Sequence, residues 1–326
     1  MSGFILRDIN FHPIFNASGS LNFFGEGWRN YHPLCKAIFR EGFDFSGSTF
    51  ISKTTTLEVR EGNMPLRDDL QSKEWFPGCV KVYPFKRLVL NSVGLSGPGA
   101  ENLLQRGEWQ KRTEAFMISF MSIAKTREER IEEAKKFVQL ILREMKNFQA
   151  PFGIQINISC PNTGHPTQDL LLDAFAILEV FNILSVPLDL KIGVADALEA
   201  GLDFVKEIED SGLCDCLTCS NTIPWGKLPN LINWQGIFGT KVSSLAHLGG
   251  GGLSGWILKP IVIYWLKQVR AGGVKMPIKA GGGILNEKDA FDYVRAGASA
   301  LEIGSVNLLA PWNVQKIIRL TNFMLG

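Results

Sequence analysis

The 326 residues, 45% of them hydrophobic and 20% charged, can build a large buried core, and the length suits one barrel or two ordinary domains. With 34 basic and 32 acidic residues the formal charge is +2, and both signs are spread along the chain. That balance argues against the basic face that nucleic acid or an anionic membrane requires, and favours a small-molecule partner.

In chain order, the start Met1-Ser2-Gly3-Phe4-Ile5-Leu6-Arg7-Asp8 has no basic region ahead of an apolar core. No secretory signal is expected, and the chain reads as soluble and cytoplasmic. Short β-rich runs at 13–17, 47–53, 116–120, 153–158, 187–191, 214–218, 276–280 and 300–304 alternate with helical patterns. Eight such units predict an α/β fold, a closed (β/α)8 TIM barrel occupying residues 1–326 as a single domain.

Of the helices, 126–147 is the clearest. Ile131, Ala134, Phe137, Val138, Ile141, Leu142 and Met145 recur at helical spacing, and a charged, solvated face runs through Glu128, Glu129, Glu132, Glu133, Lys135 and Lys136. The apolar run 170–186 is broken by Asp173, Glu179 and Asn182, which a bilayer span would rarely carry. The stretches 54–99 and 221–250 are too long for simple connections and are expected to fold over the C-terminal face of the barrel as part of a site. Six cysteines in so long a chain predict reduced thiols. Cys214, Cys216 and Cys219 read as small buried hydrophobes; alternation along a strand sets Cys219 on the face opposite the other two, and no fourth metal ligand is evident.

A barrel of this kind builds its site where the strands end. Strand one runs into Asn16-Ala17-Ser18-Gly19, strand two into Ser52-Lys53-Thr54, strand four into Asn157, strand five into Lys191 and strand six into Ser220-Asn221-Thr222. Together they describe a cavity rimmed by two lysines, amides and hydroxyls, suited to a planar ligand with carbonyls and a carboxylate. Strands seven and eight lead into Gly281-Gly282-Gly283 and Gly304-Ser305, where side-chain-free backbone can aim N–H groups at a phosphate. Gly251-Gly252-Leu253-Ser254-Gly255 is expected to open a helix and add donors. The run Asn157-Ile158-Ser159-Cys160-Pro161-Asn162, followed by Thr163-Gly164, carries the most specific signal: a thiol on a loop able to close over a ligand and take a proton from carbon. None of His12, His32, His165 and His247 lies at a strand end, so a histidine base is not expected.

These motifs, with Thr55-Thr56-Leu57-Glu58, Arg60-Glu61-Gly62-Asn63 and Asn91-Ser92-Val93-Gly94-Leu95, occur in an order from about Phe15 to Leu308 that resembles the class 1 dihydroorotate dehydrogenases, soluble FMN enzymes of pyrimidine biosynthesis. The resemblance implies oxidation of dihydroorotate to orotate, with Cys160 removing a proton while hydride passes to FMN. It implies Lys53 at the substrate carboxylate; Asn91, Asn157, Asn162, Asn221 and Thr222 on the ring's carbonyls and N–H groups; and backbone of Val93, Gly94 and Leu95 closing the substrate side. It places Lys191 against the electron-rich part of the reduced flavin and Gly255, Gly282, Gly283, Gly304 and Ser305 at the FMN phosphate, with Gly252 also binding the cofactor. Ala17, Ser18, Gly19, Thr54 and Ser220 would lie along the rest of the cofactor, which Lys53, Asn91 and Asn157 also touch. No metal is implied.

Three stretches depart from the family pattern: Ile192-Gly193-Val194, Ser96-Gly97, and a long connection at 75–85. A dehydrogenase of another dihydropyrimidine, such as dihydrouracil, and a non-catalytic FMN- or phosphate-binding barrel stay open beside the main reading. Without an N-terminal helical extension ahead of the barrel, quinone is the least expected oxidant. Fumarate used by a homodimer, and NAD reached through an iron–sulfur flavoprotein partner, are both compatible with the motifs.

Overall fold

The computed structural model of the chain describes residues 3–158 and 167–326, the side chains of 167–172 excepted. An antiparallel hairpin comes first, β1 (Phe4–Leu6) and β2 (Ile9–Phe11). The barrel strands in chain order are β3 (Ile14–Asn16), β4 (Phe50–Ile51), β7 (Phe116–Phe120), β8 (Phe152–Asn157), β9 (Leu188–Ile192), β10 (Cys216–Cys219), β13 (Ile278–Gly281) and β14 (Ala300–Ile303). They pair in parallel in the order β3-β14-β13-β10-β9-β8-β7-β4. A parallel bridge between Phe15 and Thr49 closes the ring. The side chain of Asn16 reinforces that seam: its Nδ2 donates to the Ile51 carbonyl at 2.8 Å and its Oδ1 accepts from the Ile51 N–H at 2.9 Å. All eight expected strands are present, within about three residues of their expected ends.

Why these runs form barrel strands is clear from β7, Phe-Met-Ile-Ser-Phe, which is buried on both faces. Phe116, Ile118 and Phe120 point outward into the layer between barrel and helices, while Met117 points inward. The inner end away from the strand termini is filled by Phe15, Ile51, Met117, Cys216 and Ala300, and the hairpin lays Phe4, Leu6 and Phe11 against them as a plug.

Helix Arg127–Glu144 starts where Thr126 and Glu129 form a capping box: the Thr126 Oγ1 accepts from the Glu129 N–H at 3.2 Å, and the Glu129 carboxylate accepts from the Thr126 N–H at 3.1 Å. Its buried face differs from the expected one. Leu142 is exposed and Arg130 is buried, because the Arg130 guanidinium pairs with the buried carboxylate of Asp173 on helix Thr167–Asn182, its Nε donating at 2.6 Å. Glu133 is not a purely solvated residue either, since its carboxylate accepts from the N–H groups of Ile123 at 2.7 Å and Ala124 at 3.1 Å.

The two long stretches meet in one antiparallel sheet that sequence patterning did not predict. It contains β5 (Val80–Tyr83), β6 (Leu88–Asn91), β11 (Ile223–Pro224) and β12 (Gly252–Gly255) in the order β11-β12-β6-β5. Gly252–Gly255 is therefore a strand and does not open a helix; the helix begins at Leu258. Pairing of Gly252 with Asn91 and of Leu253 with Leu90 satisfies that backbone across the sheet.

The cysteine expectation also needs correction. Cys216 faces the barrel interior, whereas Cys214 and Cys219 both lie in the outer core. Cys214 precedes the strand, so strand alternation does not extend to it. Burial pushes the Cys214 thiol up to about 12 and those of Cys216 and Cys219 well above the ordinary cysteine value, as expected of inert packing residues. Among the described residues no helix is long and apolar enough to cross a membrane.

Candidate active site

A cavity of about 600 Å³ opens at the C-terminal ends of the barrel strands, a size typical of small-molecule and cofactor sites. Strand ends supply Ala17, Ser18 and Gly19 after β3, Lys53 and Thr54 after β4, Asn157 from β8, Lys191 from β9, Ser220, Asn221 and Thr222 after β10, Gly282 and Gly283 after β13, and Gly304 and Ser305 after β14. The antiparallel sheet brings Asn91, Val93, Gly94 and Leu95 to the same cavity, and from β12 it is Ser254 that lines it. Gly255 stands one layer behind, its carbonyl against Gly283. Cys160 and Asn162 lie outside the described residues.

Hydrogen bonds fix the rim. Ser18 and Thr54 share one at 2.7 Å, and Thr54 shares another with Ser119 at 2.9 Å. The Asn157 amide donates to the Thr54 hydroxyl at 3.4 Å and accepts from the Asn221 amide at 3.3 Å, while the Asn221 Oδ1 accepts from the Thr222 N–H at 2.9 Å. Residues contributed by β3, β4, β8 and β10 are thus joined in one polar chain. The two sequence motifs of the first long stretch bind each other: the Asn63 N–H donates to the Val93 carbonyl at 2.8 Å, the Asn63 amide to the Ser92 carbonyl at 2.7 Å, and the Arg60 Nε to the Gly94 carbonyl at 2.7 Å. These bonds hold the Val93-Gly94-Leu95 backbone at the cavity wall.

Both lysines are buried. The Lys53 ammonium donates to the Ser96 carbonyl and lies 4.9 Å from the centroid of the Phe23 ring. Lys191 is ion-paired with Glu302, a cavity-lining residue of β14 that the sequence reading did not single out. Also unanticipated at the wall are Tyr31, Ser72, Phe76, Val80, Val82 and Asn307. Asn307 is buried beside the Tyr31 hydroxyl, and the Ser72 hydroxyl is buried with no hydrogen-bond partner among the described residues.

The glycines after β13 and β14 present bare backbone at the cavity wall, a cradle packed too closely for side chains. A Cβ on Gly283, whose φ is +70°, would sit 2.5 Å from the Gly255 carbonyl oxygen, and one on Gly304 would sit 2.8 Å from the Ala17 Cβ. A phosphate needs close approach to backbone N–H groups, and both positions allow it.

The family model described as Dihydroorotate dehydrogenase matches residues 13–324. The chain belongs to the dihydroorotate dehydrogenase family. Members of this family are FMN-dependent flavoproteins, oxidoreductases acting on a CH–CH group in pyrimidine biosynthesis, and the donor set and glycine cradle fit an FMN.

Among curated dihydroorotate dehydrogenases, the chain is 29% identical over 316 residues to the dihydroorotate dehydrogenase B (NAD(+)) catalytic subunit of Bacillus pumilus, covering 94% of this chain and 86% of that one. It is 30% identical over 312 residues to the protein of the same name from Anoxybacillus flavithermus, covering 94% and 85%. A crystal structure of the Eimeria tenella dihydroorotate dehydrogenase in complex with ferulenol superposes with a TM-score of 0.65 at 18% identity, over 97% of this chain and 82% of that one, a likeness of fold.

Proposed function

We propose that this chain oxidises dihydroorotate to orotate with FMN held in the strand-end cavity, Cys160 serving as the base. The observation that carries the reading is the convergence on one cavity of a buried ammonium, Lys53, with the amides Asn91, Asn157 and Asn221 and a glycine cradle, in a chain of this family. A planar ring bearing a carboxylate, carbonyls and N–H groups needs such a set: the ammonium meets the carboxylate, and each amide offers donor and acceptor together.

In this reading Gly282, Gly283, Gly304 and Ser305 hold the cofactor phosphate, Gly252 and Gly255 support that cradle from β12, and Ser18, Thr54 and Ser220 bind along the rest. Ala17 and Gly19 leave room beside them. Bound FMN supplies the hydride acceptor. Asn91, Asn157, Asn162, Asn221 and Thr222 orient the ring, and the Val93-Gly94-Leu95 backbone closes over it and excludes water. Cys160 accepts the proton from the ring carbon, and Lys191 gives the cofactor's electron-rich end a fixed ammonium.

Lys53 separates dihydroorotate from the alternative dihydrouracil, which lacks a carboxylate. Replacing it as Lys53→Met is expected to weaken orotate binding about 10- to 100-fold, the loss of one charge-assisted hydrogen bond, while leaving FMN bound. Titration of the yellow protein with orotate measures this. Unchanged orotate affinity, or faster turnover of dihydrouracil than of dihydroorotate by the unmodified protein, would overturn the substrate assignment.

For the electrons' exit, the words "NAD(+)" and "catalytic subunit" in the names of the Bacillus and Anoxybacillus relatives favour a partner subunit, an iron–sulfur flavoprotein passing electrons to NAD, over fumarate used by a homodimer. The purified chain alone is then expected to turn over dihydroorotate with an artificial dye but with neither fumarate nor NAD. Sustained turnover with fumarate would decide for the homodimer.

A further inference from the structure

Beneath the Lys191–Glu302 pair at the cavity wall, the barrel interior holds two further charges, Lys279 and Asp189, that neither packing nor the proposed chemistry accounts for. Glu302 pairs with Lys191 through one carboxylate oxygen, and its other oxygen accepts from the Gln155 amide at 3.0 Å and lies 3.7 Å from the Lys279 ammonium. Asp189 accepts from Lys279 at 2.7 Å, from Gln155 at 2.9 Å and from the Thr218 hydroxyl at 2.6 Å. Lys279 is wholly buried, 4.1 Å from the centroid of the Phe15 ring. Burial alone would lower its pKa, but Asp189 and Glu302 beside it hold it above the ordinary lysine value, so it is charged. Two ammonium groups and two carboxylates therefore form one connected layer of zero net charge, of which Lys191 and Glu302 line the cavity.

A buried ion-pair layer contributes little net stability, because desolvation of the charges offsets their attraction; apolar side chains of similar volume would serve a purely structural purpose as well or better. What such a layer does provide is a lysine held in one position with its charge cancelled by a fixed counter-charge. We propose that Glu302 is a positioning residue for Lys191 and that, with Lys279 and Asp189, it sets the reduction potential of the bound flavin by cancelling the charge Lys191 presents to it. The inference rests on the reading that Lys191 faces the flavin. A positive charge near the ring stabilises the reduced, anionic cofactor and raises its potential, and a paired one does so less.

The sign can be tested in both directions. Glu302→Gln keeps an oxygen able to accept from Lys191 but leaves the layer at +1, so the FMN midpoint potential, measured by dye equilibration of the loaded protein, is expected to move positive. Lys279→Met leaves the layer at −1 and is expected to move it negative. The double variant is neutral again and is expected to return close to the unmodified value. If Lys279→Met does not fold, the Glu302→Gln shift decides alone. A yellow Glu302→Gln protein whose potential is unchanged or lower overturns the inference and leaves the proposed function standing. An unmodified chain that binds no FMN overturns both.

Discussion

At the scale of single residues the account turns on how burial changes what a side chain can do. Cys214, Cys216 and Cys219 are enclosed in apolar surroundings that keep their thiols protonated, and so cannot serve as bases. Cys160 is assigned that task from the motif around it, and the assignment is tested by Cys160→Ala. The variant is expected to keep FMN and orotate binding but to slow flavin reduction by dihydroorotate on the order of 10²-fold or more in anaerobic stopped flow, the scale of losing a general base. An undiminished rate would remove Cys160 from the mechanism.

The lysines show what a linear sequence reveals at this scale and what it hides. Lys53 and Lys191 were legible because each closes an apolar strand. Glu302, Lys279 and Asp189 were just as visible inside apolar runs, but only parallel pairing of β9 with β10, β10 with β13 and β13 with β14 brings them together. A charge inside a predicted barrel strand needs a partner on a neighbouring strand, and looking for one would have found the layer.

Among the elements, the eight barrel strands could be read because strands buried on both faces are continuous apolar runs, and helix Arg127–Glu144 because its apolar residues recur at helical spacing. The four strands of the antiparallel sheet could not. They are short, and the sheet is made by contacts such as Asn91 with Gly252, far apart in sequence, which no local pattern encodes. The glycines at 251 and 255 serve that sheet and not a helix terminus: Gly255 packs against the backbone of Arg87 and Leu88, and Gly251 against Leu245 and the Asn91 carbonyl.

Two predictions belong to elements. Gly283→Ala forces a Cβ to within 2.5 Å of the Gly255 carbonyl at a left-handed φ, so β12 and the turn after β13 must part. The purified variant is expected to retain much less FMN than the unmodified protein, read from the ratio of visible to ultraviolet absorbance; full retention would show that this turn does not shape the cofactor site. The second concerns His32, at the start of helix His32–Phe39, which stacks on Tyr31 at 4.4 Å and accepts from the Trp28 N–H. Burial lowers its pKa to about 4, below the ordinary value near 6.5. The unfolded chain therefore binds the extra proton first as pH falls, and the stability gained from a neutral His32 is complete above about 6.5 and lost toward 4. His32→Gln is expected to flatten the fall of Tm across that window; a parallel fall in both proteins would contradict the assignment.

For the whole molecule, the barrel divides by height into three tasks. The hairpin β1–β2 and the residues it covers make an apolar plug at one end, the charged layer of Lys279, Asp189, Gln155 and Glu302 fills the middle, and the polar rim with its glycine cradle forms the open end. Helix Thr167–Asn182 is tied to helix Arg127–Glu144 through Arg130 and Asp173. The claim that joins these levels is that the open end holds FMN and reduces it with dihydroorotate. Anaerobic mixing of the purified yellow protein with dihydroorotate tests it most directly. The account predicts that the flavin absorbance bleaches in a single turnover with release of orotate, and that dihydrouracil at the same concentration does not bleach it. A flavin that stays oxidised in dihydroorotate, or one bleached only by an uncarboxylated ring, would contradict it.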